Sequence, residues 1–113
     1  MDIAFRDDKL RTTCNTLREA RGRLGTVMAK KLFQRLDELR AANTLADMRS
    51  IPAAHCHELT GDRKGQLAVD LKQPYRLIFV VANDPVPRKE DGGLDWQKVT
   101  AIEIVKWEDY HGS

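Results

Sequence analysis

Apolar residues first cluster at Ile3 to Phe5, a short run that stops at Arg6-Asp7-Asp8 and predicts a strand handing over to a helix capped by aspartate. From there Leu10, Cys14 and Leu17 recur at i, i+4 and i+7, the stripe of a helix that ends near Gly22. The period resumes after Gly25-Thr26 with Met28, Leu32, Leu36 and Leu39, while Lys30, Lys31, Gln34, Arg35 and Glu38 occupy other faces. Two helices cannot cover both stripes by themselves, so the pattern requires a sheet. Asn43 to Met48 has room for one more helical turn before Pro52 prevents continuation. Beyond it the apolar period shortens to that of strands. Residues 55–60 read as a strand, Gly61 to Gly65 as a turn holding Asp62, Arg63 and Lys64, and residues 66–72 as a strand with Leu67, Val69 and Leu71 on one face. After Pro74, Tyr75 to Val81 is apolar except for Arg76, as expected of a central strand covered on both sides. Residues 83–98, with Pro85, Pro87, Gly92 and Gly93, have loop composition, and Val99 to Trp107 supplies a last strand. The expected class is α+β, in the order β-α-α-β-β-β-β, with a helix hairpin packed on a mainly antiparallel sheet.

The length of 113 residues, 42% hydrophobic, suits a single domain over 1–113 with a thin core, and leaves no room for a multi-domain enzyme or a large buried cofactor. Net charge is +2, unevenly spread: residues 1–40 hold ten basic and six acidic side chains, and the rest hold nine and eleven. No apolar run has the length of a membrane span, and Asp2, Arg6, Asp7 and Asp8 rule out a signal peptide at the front, so the expected setting is cytoplasmic. In that compartment Cys14 and Cys56 stay reduced. Cys14 and Met28 read as core residues.

Three histidines carry the candidate chemistry: His55 and His57 before the Gly61 turn, and His111 near the end. The stretch His57-Glu58-Leu59-Thr60-Gly61-Asp62-Arg63-Lys64-Gly65, followed by Tyr75-Arg76-Leu77-Ile78-Phe79 and closed by Glu108-Asp109-Tyr110-His111, resembles the RelE/ParE superfamily of bacterial toxins, and within it the HigB (plasmid maintenance killer protein) branch. The resemblance implies a RelE-like fold. It also implies a type II toxin acting as a ribosome-dependent mRNA endonuclease, with a cognate HigA-like antitoxin, ribosome and mRNA as partners. Operator DNA would be met only through the antitoxin complex, and neither a cofactor nor a membrane is called for.

RNA cleavage by attack of a ribose 2′-OH on its own phosphate needs a base, an acid and cations for the developing phosphorane charge. His57 and His111 are the acid/base candidates, because imidazole exchanges protons near neutral pH. Which is base and which acid stays open. Asp109 can orient a histidine, and Tyr110 can stack on a base or bond to phosphate. Arg76 offers a guanidinium to the scissile phosphate, with Arg63 and Lys64 as nearby cations. Lys30, Lys31 and Arg35, with Arg40, supply either a solvated helix face or a phosphate-tracking surface.

Several features bear on that likeness. Thr60 stands where the related hairpin often has lysine, the 83–98 loop is longer than in the smallest relatives, and Gly112-Ser113 extends past the histidine with which such chains commonly end. Arg76 has a structural alternative, an ion pair with Asp70 or Glu103. His55, His57 and His111 could make a metal site, though no carboxylate spacing supports one. Two other functions keep the fold: a ParE-like gyrase inhibitor, for which the terminal histidine is not expected, and a catalytically inert interaction module.

Overall fold

A computed structural model describes residues 1–109 of the chain. Strand β1 spans Asp2–Phe5, and helices α1, α2 and α3 span Asp8–Asn15, Leu17–Leu24 and Thr26–Ala41. Strands β2 (His57–Glu58), β3 (Gln66–Asp70), β4 (Tyr75–Val81) and β5 (Ala101–Asp109) follow. The five strands form one sheet in the order β1-β5-β4-β3-β2, antiparallel except for the parallel β1–β5 pair. This is the expected α+β architecture, with the helices covering one face of a mostly antiparallel sheet.

The helical region departs from expectation in one respect. Asp7 caps α1 as anticipated, its carboxylate accepting from the Leu10 backbone N–H at 2.8 Å. The single helix expected to run to Gly22, however, breaks at Thr16, whose backbone is extended. The residues before the break bond backwards: the Thr12 and Thr13 hydroxyls donate to the carbonyls of Asp8 and Lys9, and the Asn15 amide donates to that of Arg11, all at 2.9 Å. Such bonds compete with the main-chain ladder, and β-branched residues add little helix preference. A new helix, α2, then starts at Leu17.

The stripe of α3 is buried as read, with Leu32, Leu36 and Leu39 packed against Leu67, Val69, Leu77, Phe79, Ile102 and Ile104 of the sheet. Leu71 joins them, so the alternation read in β3 holds. Cys14 and Met28 lie in the same core, where burial pushes the Cys14 thiol up to about 11. On the opposite, open face of the sheet, Ala68, Ile78 and Leu59 make a small second cluster against Val105. Apart from Arg76, strand β4 is therefore apolar on both sides, as its nearly continuous pattern implied.

Arg35 corrects the reading of the α3 surface. It is only 2% exposed: its Nε donates to the Asp70 carbonyl at 2.7 Å, one terminal nitrogen to the Ala53 carbonyl at 2.8 Å, and the other to Glu38 at 3.0 Å. A guanidinium consumed in this way pins α3 to β3 and to the Pro52–Ala54 turn, and it is not part of any phosphate-tracking surface. Lys30 is exposed and Lys31 half-exposed, its ammonium 3.3 Å from the Gln34 side chain.

The 83–98 segment folds into a short arm. Asn83 closes its base by accepting from the backbone N–H groups of Thr100 and Ala101 at 3.0 and 3.1 Å. A turn between Lys89 and Gly93 caps its tip, while Leu94 and Trp96 anchor the returning limb in the core. Among the described residues no helix is long and apolar enough to cross a membrane.

Candidate functional site

The open face of the sheet carries a cavity of about 290 Å3 lined by His57, Glu58, Thr60, Arg63 and Arg76. Register explains the assembly. His57 lies opposite Ala68, and Asp70 lies opposite Arg76, which in turn lies opposite Glu108. Because side chains alternate between faces, His57, Asp70, Arg76 and Glu108 all project to the open side.

His57 is fixed from behind. Its Nδ1 lies 2.8 Å from the carbonyl oxygen of His55, and since a carbonyl only accepts, Nδ1 carries a proton, so that in the neutral ring the lone pair sits on Nε2. The His55 ring stacks on the His57 ring with centroids 4.2 Å apart. His55 has a left-handed backbone, φ 46° and ψ 51°, which turns the chain out of the Pro52–Ala54 turn and confines the expected strand over 55–60 to two residues. Its Nδ1 lies 3.4 Å from Asp70, whose other carboxylate oxygen is buried with no hydrogen-bond partner among the described residues. The rings of His55 and His57 therefore form a stacked pair, and no cluster of metal-binding side chains occurs among the described residues.

The cations are gathered by a residue that the sequence did not single out. Glu108 receives Arg76 Nε and a terminal nitrogen on one oxygen, at 3.0 and 2.8 Å, and Arg63 on both oxygens, at 3.1 and 2.9 Å. Lys106 stands 3.4 Å away. The bonds from Arg63 foremost, then those from Arg76, hold the Glu108 carboxyl at about 2 against the opposing effect of burial. Arg63 also bonds the Gln66 side chain at 2.8 Å, which fixes the plane of its guanidinium. The ion pair foreseen for Arg76 thus exists, with Glu108 in place of Asp70 or Glu103; Glu103 pairs with Arg6 at 3.1 Å.

A bulge made Glu108 hard to foresee. Ile78 pairs with Lys106 and Phe79 with Ile104, leaving Val105 as an extra residue in β5. In a regular strand Glu103 and Glu108, five apart, would face opposite sides; the bulge brings both to the open face.

Of the expected site residues, His57, Arg63 and Arg76 meet around one cavity. Lys64 sits on the same turn but lines a neighbouring groove, and Lys30 lines a separate trough over α2 and α3. Asp109 ends β5 opposite Tyr75. Tyr110 and His111 lie outside the described residues. Thr60 lies exposed at the rim of the cavity and presents a hydroxyl to it.

Comparison with known proteins agrees with this architecture. No curated protein sequence matches the chain. The chain is similar in structure to a YoeB/ParE toxin from Agrobacterium tumefaciens, at 11% identity and a TM-score of 0.54 over 98% of this chain and 100% of that one. Residues 3–88 match the family model described as the RelE-like toxin of the type II toxin-antitoxin system HigB. That span takes in all of β1 but Asp2, all three helices, the His57 hairpin and Arg76, and it places the chain in the HigB-like toxin family of type II toxin–antitoxin systems, whose members are paired with a cognate antitoxin.

Proposed function

We propose that this toxin is a ribosome-dependent mRNA endonuclease cleaving by acid/base catalysis at the ribose 2′-OH. The observation that carries the reading is the anchoring of His57: with Nδ1–H held by the His55 carbonyl, Nε2 is the nitrogen left to exchange a proton in the cavity that Arg63 and Arg76 also line. In the reaction His57 takes the 2′ proton while the 2′ oxygen attacks the adjacent phosphorus. The bond to the 5′-oxygen breaks, that oxygen receives a proton from the acid, and a 2′,3′-cyclic phosphate and a 5′-hydroxyl result. With His57 taken as the base, His111 is the histidine that remains for the acid, with Asp109 and Tyr110 beside it in sequence.

Arg63 and Arg76 stabilise the dianionic phosphorane. In the substrate-free protein they are held by Glu108, whose carboxylate occupies the place a phosphate would take between two guanidiniums. The phosphate of the message shares or displaces these bonds on entry. Partners on this reading are the ribosome, translated mRNA and the antitoxin, and operator DNA is contacted only through the antitoxin complex.

The test is induction of the wild-type chain and of a His57→Ala/His111→Ala double variant, with mRNA 5′ ends mapped within minutes. Frame-linked cuts inside translated messages are expected, reduced by at least about a hundredfold in the variant. Growth arrest without such cuts, equal in both proteins, would reject the endonuclease and favour ParE-like inhibition of gyrase.

A further inference from the structure

The largest of the grooves around the β2–β3 hairpin is not the one that holds His57. On the other side of β2 the arm leans over the end of the sheet and encloses about 360 Å3, at the lower end of the roughly 300–1,000 Å3 usual for small-ligand clefts. Leu67, Val80 and Leu94 make an aliphatic lining, and Lys64 and Arg88 bring two cations to it. One wall is Glu58. Its Oε2 accepts from the indole N–H of Trp96 at 3.0 Å, which ties the carboxylate to the anchored limb of the arm. A carboxylate accepts up to about four hydrogen bonds, so capacity remains after the Trp96 bond.

Glu58 also lines the His57 cavity, so the two grooves meet at one residue. Arg63 and Lys64 are neighbours in the chain, yet the first lines the His57 cavity and the second the arm groove. A strand of single-stranded RNA with one phosphate beside Arg63 therefore finds further cations for the adjoining phosphates at Lys64 and Arg88. Each part of the groove then answers to one part of a nucleotide: cations to phosphate, aliphatic side chains to the flat face of a base, and an anchored carboxylate to an N–H on the base edge. An acidic peptide would suit Lys64 and Arg88 but would be repelled by Glu58.

We propose that the arm groove is a subsite for one nucleobase beside the scissile phosphate, and that Glu58 selects bases presenting an amino N–H, as adenine and cytosine do, over uracil. This rests on the endonuclease reading and deepens it: Glu58 and the arm are specificity determinants, while His57 and the arginines do the chemistry.

The test compares cleavage sequences of wild type, Glu58→Gln and Arg88→Ala from 5′-end maps. Glutamine keeps an oxygen for Trp96 and offers an NH2 donor, so the fold is preserved while the groove's polarity towards the base edge reverses. At one fixed position next to the cut, the ratio of adenine plus cytosine to uracil is expected to fall about tenfold in Glu58→Gln. Arg88→Ala is expected to slow cleavage at all sequences alike. The readout is a ratio between sequences, so any change in overall rate cancels.

Unchanged preference in Glu58→Gln, with wild type still cutting, overturns the subsite and leaves the endonuclease standing. Unchanged preference together with lost antitoxin neutralisation overturns it in favour of a peptide groove. Should wild type make no cuts, the endonuclease reading itself fails. The groove is then judged by fluorescence anisotropy of the full chain with six-nucleotide oligo(A), oligo(C) and oligo(U). A preference for A and C over U that Glu58→Gln removes upholds base selection, and its absence, whether affinities are equal or undetectable, overturns it.

Discussion

Two arginines on opposite faces of the same sheet show how differently one side chain can be used. Arg35, on the helix-covered face, spends its guanidinium on two backbone carbonyls and on Glu38 one turn away. Arg76, on the open face, is 12% exposed and is held by the Glu108 carboxylate. Backbone carbonyls are fixed parts of the fold, so Arg35 is committed for as long as the protein is folded. A carboxylate can be exchanged for another anion of similar shape, which leaves Arg76 and Arg63 available to a phosphate. The covered face uses its cation as a rivet, and the open face uses its cations as a receptor with a resident occupant.

The largest expected effect lies on the covered face. Arg35→Met should cost about 3 kcal/mol by stranding the Asp70 and Ala53 carbonyls and removing the cation beside Glu38, read as a lowered urea midpoint. An unchanged midpoint would mean that the rivet carries no load.

Glu108→Gln comes next, with a loss on the order of 2 kcal/mol at pH 7. Because the folded carboxyl lies at about 2 against an ordinary 4.5, its contribution is complete above 4.5 and disappears as pH falls toward 2. The stability gap between wild type and Glu108→Gln should therefore narrow from pH 5 to pH 3, and a gap independent of pH would refute the pairing as its cause. The same variant, with one negative charge fewer beside Arg63 and Arg76, should bind single-stranded RNA more tightly, whereas Arg35→Met should not.

Smaller effects sharpen the contrast. Asp70→Asn, which weakens the hold on His55, should cost less than about 1 kcal/mol. It should also bring a second His57 tautomer into the 15N NMR spectrum, and a single unchanged tautomer would remove Asp70 from the positioning of that ring. Lys30→Ala and Lys31→Ala should leave stability within about 0.5 kcal/mol. If their helix face tracks RNA, each lowers the salt slope of binding by about 0.7; an unchanged slope retires that surface.

The legible parts of the molecule are those set by local period. The stripe of α3, the alternation of β3 and the double-sided burial of β4 follow from residue types spaced along one element. The same period misjudged Arg35, because a charged residue outside the apolar stripe reads as solvated unless its distant carbonyls are known. Thr16 escaped for a different reason: the apolar spacing runs through it from Cys14 to Leu17, and only the backward hydroxyl and amide bonds show that the main chain lets go. At the candidate site, His57, Arg63 and Arg76 were visible as chemistry and as motif. Glu108 was not singled out, since one extra residue at Val105 shifts the facing of every position after it. The 83–98 segment read as loop from its Pro and Gly content, although Leu94 and Trp96 within it are core residues.

The sheet order also governs when this protein can exist. Among the described residues β5 is the last strand, lies between β1 and β4 and is the only strand that β1 pairs with. During synthesis the first strand waits for one made nearly a hundred residues later, and such distant pairings form late. Glu108, which gathers Arg63 and Arg76, arrives on that same strand. A nascent toxin therefore emerges from its ribosome with an open sheet and with Arg63 and Arg76 not yet held by Glu108, and it becomes a finished molecule only after β5 has emerged as well.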